Sequence, residues 1–233
     1  MMKSVLISIR PQWAEKIAKG EKTIEVRKTR PKCDVPFKCY IYCTKEKLIN
    51  NVFLIYGGGK YACFGDYRNA CTSDADGKVD CYIGNGKIIG EFVCNRITEL
   101  ESEFWDDDTY ESIGEVWYDE DDGERNVIIF VDNCCDNYKA NILCRKSCAT
   151  LEELRRYIGT GINTFYAWHI SDLKIYDKPK ELSEFVKAYP IKCGKGYESI
   201  DCTGCGSEFT CAKRFITRPP QSWCYVEDLG EEK

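Results

Sequence analysis

A period of two constrains this chain most. "SVLISI" (Ser4 to Ile9) alternates as a strand, and "KCYIYCT" (Lys38 to Thr44) is dense in aromatic and β-branched residues. "VDCYI" and "KIIGEFVCNRI" read as two strands around an Asn85-Gly86 turn, while "RNVIIFVD" and "TFYAWHISDLKIYD" supply more strands. Helical patterns are few and short. In "PQWAEKIAKG" Pro11 opens the helix and Gly20 stops it. "TLEELRRYIG" begins with a Thr150-x-x-Glu153 capping box, "PKELSEFV" is a last helix, and helical turns are expected near Thr109 to Trp117. Strands with short edge helices imply an α+β, mostly β fold, a compact mixed β-barrel. Residues 46–78 and 99–150 read as insertions, and residues 191–233 as a cysteine-rich tail.

One strand carries unusual chemistry. In "GEKTIEVRK" (Gly20 to Lys28), Lys22, Ile24 and Val26 alternate with Thr23, Glu25 and Arg27. A carboxylate two residues from an arginine on one strand face can pair with it and orient the guanidinium for a phosphate or a base edge. A lysine at the mouth adds a point charge, or a nucleophile or base if desolvated. The alternative is an ordinary solvated Glu-Arg pair worth under about 1 kcal/mol.

Charge is unevenly distributed. The net of −5 hides a run from 99 to 124 with thirteen acidic residues and no basic one; without it, 25 acidic residues face 33 basic, a net of +8. The rest of the chain therefore suits a polyanionic ligand, with one acidic stretch able to compete for it. No segment has the length of a membrane span, and the first twenty residues have only a five-residue apolar run, so the expectation is a soluble, cytoplasmic protein.

These segments carry a family resemblance. Strand, short helix ending in glycine, then Gly-x-Lys-x-x-Glu-x-Arg, with Gly20, Lys22, Glu25 and Arg27 in the four places, resembles the signature of the ASCH domain of the PUA-like superfamily. "GKIIGEFVCNRI" (Gly86 to Ile97) and "YAWHISDLKIYDKPKELSEF" (Tyr166 to Phe185) are similar to later segments of bacterial and phage-type ASCH proteins. The resemblance implies a PUA-like β-barrel with a cleft lined by the motif, related to RNA-binding domains. Some ASCH proteins are amidohydrolases of acetylated cytidine and another is a ribonuclease. In the amidohydrolase type a lysine matches Lys22, but a threonine stands in the place of Glu25, so a hydroxyl-based mechanism does not transfer directly.

Two readings of function follow. Lys22, Glu25 and Arg27 bind RNA or a modified nucleoside, with His169, the lone histidine, reaching the cleft; or Lys22 and Glu25 transfer protons in hydrolysis of a nucleoside amide or an RNA phosphodiester. His169 as a half-exposed strand residue is the plainer alternative.

The sixteen cysteines divide between buried thiols in strands, such as Cys39, Cys43 and Cys94, and clusters. Cys193, Cys202, Cys205 and Cys211 contain one Cys-x-x-Cys step and can form a structural zinc site stapling the tail, with free thiols as the alternative. Cys134, Cys135, Cys144 and Cys148 include an awkward adjacent pair. "GGGK" (Gly57 to Lys60) is followed by Tyr61, not Ser or Thr, and reads as a turn instead of a phosphate loop.

Overall fold

The computed structural model describes residues 4–45, 52–56, 62–65, 81–104, 111–118, 124–131, 138–188 and 215–227. Strands predominate, in the expected α+β, mostly β class. The strands are β1 (Ser4–Ile9), β2 (Ile24–Arg27), β3 (Phe37–Cys43), β4 (Val52–Tyr56), β5 (Ala62–Gly65), β6 (Cys81–Ile83), β7 (Ile88–Phe104), β8 (Glu111–Tyr118), β9 (Arg125–Val131), β10 (Gly161–Lys180) and β11 (Trp223–Val226). The helices are α1 (Pro11–Ala18), α2 (Tyr138–Ser147) and α3 (Leu151–Ile158).

The larger sheet is ordered β11-β1-β3-β7-β10-β2, with β8 added to β7 and β9 to β8; β5-β4-β6 form a second sheet. The order has two distinct ends, so among the described residues the sheet is open and mixed, where the sequence suggested a closed barrel. The chain divides into two units: residues 1–19, 37–93 and 172–233 in one, 20–36 and 94–171 in the other.

In the first unit β1 is buried at every position, because it pairs parallel with β3 and antiparallel with β11. Burial on both faces explains the density of Val, Leu, Ile and Tyr in these segments. Leu6, Tyr40, Tyr42, Ile88, Phe185, Ile216 and Val226 form its core. Within the cysteine-rich tail, β11 completes an edge of this unit and Ile216 joins its core. Gly90 sits where a Cβ would lie 2.4 Å from the Lys174 carbonyl oxygen, so only glycine lets β7 pass β10 there.

The second unit positions the site. Ile24, Val26, Leu100, Phe104, Ile113, Leu143, Leu154, Ile158, Phe165 and Ala167 pack together, uniting β2, β7, β8, β10, α2 and α3. The Thr150 hydroxyl accepts from the Glu153 amide at 3.1 Å and the Glu153 carboxylate accepts from the Thr150 amide at 2.9 Å, the capping box read from sequence. That start aims Leu154 and Ile158 at the core.

Three expectations change. Residues 111–118 form a strand, not helical turns; Ser112, Ile113 and Val116 are all buried, so both faces of the strand are covered and the Ile113 to Val116 spacing imitates a helix. The expected last helix contracts to a 3-10 turn at Leu182–Glu184. Asn85 and Gly86 do form a turn, closed by Lys87 N–H to the Gly84 carbonyl at 3.0 Å, but β6 pairs with β4, so the turn joins two sheets instead of closing a hairpin. No described helix is long and apolar enough to cross a membrane.

Candidate functional site

The row on "GEKTIEVRK" is not a solvated face. Glu25 and Arg27 lie on β2, whose other face, Ile24 and Val26, enters the core, and no side chain of Lys22, Glu25 or Arg27 exceeds 9% exposure. The two Glu25 oxygens divide between two cations: Oε1 lies 2.9 Å from Arg27 Nη2, and Oε2 lies 3.3 Å from Lys22 Nζ. Lys22 precedes the strand, so it is released from strict alternation and its ammonium reaches the carboxylate that the pattern put on the opposite face.

Lys22 Nζ also donates to the carbonyl of Ser147, the last residue of α2, at 2.7 Å. Beside it the Thr23 amide donates to the Lys146 carbonyl at 2.9 Å. The C-terminal carbonyls of a helix carry partial negative charge and lack partners inside the helix, so a cation there is favoured. Two cations and one carboxylate give the trio a formal charge of +1 at a largely shielded place where 5–9% of each side chain remains exposed. Such a group can hold a guanidinium at a fixed angle and can attract a phosphate or a carbonyl oxygen.

The cross-strand register sets the neighbours. On the antiparallel pair β2 and β10, Arg27 opposes Tyr166, Val26 opposes Ala167, Glu25 opposes Trp168 and Ile24 opposes His169. Directly opposed residues share a face. Tyr166 and the fully buried Trp168 therefore stand on the face of Glu25 and Arg27, whereas His169 stands with Ile24 on the core face. There His169 Nε2 lies 3.0 Å from Thr98 Oγ1. Burial, then the nearby charges of Arg96 and Lys146, hold its imidazole below the ordinary histidine pKa. The structure brings together Lys22, Glu25 and Arg27, and puts His169 on the other face.

Cys193, Cys202, Cys205 and Cys211 lie outside the described residues, as do Cys134, Cys135 and Gly57 to Lys60. Among the described residues no three His, Cys, Asp or Glu side chains are grouped as a metal site. Cys94 is a buried thiol whose pKa burial pushes up to about 12, which makes it an inert core residue.

Beyond the trio lie two contacts that the sequence reading did not single out. Arg30 sits over the Tyr166 ring, 5.7 Å from its centroid, and Lys28 Nζ sits 5.6 Å from that of Tyr157 on α3. Their signal in the sequence is "RKTRPK", four cations in six residues beginning with the motif's own Arg27. The role of Ser147 had no local signal, being 125 residues from Lys22.

No protein-family model matches the chain, and no curated protein does. Its structural neighbours are ASCH proteins. The crystal structure of ASCH from Zymomonas mobilis is similar at a TM-score of 0.40 and 15% identity, covering 97% of this chain and 88% of that one. A single-residue variant of that protein gives 0.39 and 15%, with 97% and 91% covered, and a second gives 0.40 and 14%, with 97% and 89% covered.

Proposed function

We propose that the chain binds RNA or a modified nucleoside through Lys22, Glu25 and Arg27. The observation that carries this reading is the division of one buried carboxylate between two cations, which leaves a net positive group with its guanidinium oriented by Glu25. A purely structural ion pair would gain little over apolar residues of the same size, because desolvating charges costs several kcal/mol per ion, on the order of what their attraction returns. Cys94, Cys144 and Cys224 are thiols not joined in disulfides, which suits a cytoplasmic setting. A structural zinc on Cys193, Cys202, Cys205 and Cys211 is a further proposal resting on their spacing, and metal analysis of protein purified without chelator tests it.

A second reading is a hydrolase of a nucleoside amide of the acetylated-cytidine type, or of RNA phosphodiesters. The 3.3 Å separation of Lys22 Nζ and Glu25 Oε2 favours it, since a proton-transfer pair needs such proximity. Incubating the protein with short RNA and with acetylated cytidine, and measuring both binding and product, separates the two. Salt-dependent binding with intact ligand supports the binder, and product formation lost in Glu25→Asp supports the enzyme. Neither binding nor product overturns both.

A further inference from the structure

The charges around the trio are asymmetric. On the β2 side, Arg27 to Lys32 hold four cations and no acid; Lys28 and Arg30 are exposed, and each is seated over a tyrosine ring. On the opposite side the sheet is acidic. Thr98 of β7 touches His169 of β10, so these neighbouring strands share a face at those positions. By alternation Glu99, Glu101 and Glu103 then stand on the other face, that of Tyr166, Trp168, Glu25 and Arg27. Arg125 pairs with Glu101 at 2.6 Å and the Tyr118 hydroxyl donates to Glu99 at 3.4 Å; the row itself holds three carboxylates and no cation at its alternate positions.

We infer that the ligand is a single-stranded RNA several nucleotides long, which leaves the trio over the β2 edge along Lys28, Tyr157, Arg30 and Tyr166 and is kept off β7 by Glu99, Glu101 and Glu103. This rests on the trio being the ligand site and adds the polymer and its path. A phosphate chain follows cations, and unstacked bases lie on aromatic rings or on guanidinium planes; both kinds of group lie at this edge in alternation, on each side of β2. A lone nucleoside would use neither Lys28 nor Arg30. A duplex would present its phosphates on two rails, one of which would meet the acidic row.

The test is fluorescence anisotropy with labelled oligouridylates of about one, four and twelve nucleotides, against wild type, Arg27→Lys and the double variant Lys28→Ala/Arg30→Ala. Both positions of the double variant are exposed, so folding is retained. The longest ligand should bind wild type about a hundredfold more tightly than the shortest. The double variant should lose about tenfold on the longest, with a salt slope shallower by about 1.4, and nothing on the shortest. Affinity independent of length yet lost in Arg27→Lys overturns the strand path and leaves the trio as the site. Tighter binding of a duplex, or equal losses at every length, also overturns the path. No Arg27-dependent binding at any length overturns the path together with the site.

Discussion

Lys22 Nζ donates to the Ser147 carbonyl across 125 residues, at 2.7 Å, while standing 3.3 Å from Glu25. One lysine thus ties the motif to the end of α2, and the site and this part of the fold depend on each other. Replacing Lys22 with Met leaves the Glu25 carboxylate and the helix carbonyl without that cation. We predict a loss of about 3 kcal/mol, within the range for breaking a buried pair, read as a lowered denaturant midpoint at unchanged slope. A loss within experimental error would mean that water replaces the ammonium freely.

Glu25 faces two cations, so Glu25→Gln should destabilise more than a surface change would, by about 3 to 5 kcal/mol, because two buried charges lose their counter-charge. Glu25→Asp keeps the charge and should cost less than half as much. Chemical denaturation of both variants checks this, and equal losses would show that shape matters there and charge does not.

His169 gives a pH dependence. Its folded pKa is below the ordinary 6.5, mainly through burial, with Arg96 and Lys146 adding to it. The unfolded chain therefore binds more protons between the folded value and 6.5, and stability must fall as pH drops through that window. Above 6.5 the contribution is fully present. His169→Gln should flatten the slope of melting temperature against pH below 6.5 while leaving ligand binding intact, because the side chain is on the core face. An unchanged slope would place the titration elsewhere.

The capping box of α3 is a local device with a local cost. Thr150→Ala removes the acceptor for the Glu153 amide and should cost about 1 kcal/mol in thermal or chemical unfolding, with no change in RNA affinity.

How far the sequence disclosed this depends on the range of the forces involved. α1, with Pro11 at its start and Gly20 in the left-handed region at φ 74°, and α3, with its box, were legible because the signals lie within one turn. Strands β1, β3 and β9 were legible from apolar and β-branched runs. β8 was not, since it is buried on both faces and its Ile113 and Val116, three residues apart, imitate a helical spacing. β11 was hidden among cysteines, and its identity as a strand comes from pairing with residues more than two hundred positions away. In the site, Glu25 and Arg27 followed from alternation alone. Lys22 joined them only because the strand begins after it, and for His169 the sequence left open the cleft or a plain strand position, because its place opposite Ile24 depends on the register with β2, a tertiary fact.

The central claim is that the Lys22, Glu25 and Arg27 group recognises the ligand through the guanidinium of Arg27. Arg27→Lys retains the charge beside Glu25 but lacks the planar fork, so it separates recognition from charge. The deciding measurement is the affinity of a short single-stranded RNA for wild type and Arg27→Lys at one salt concentration, with folding of both confirmed by circular dichroism. The account predicts a loss of about tenfold or more, on the order of one charge-assisted hydrogen bond. Equal affinity for a folded Arg27→Lys protein would contradict it and leave the trio as a buried strut.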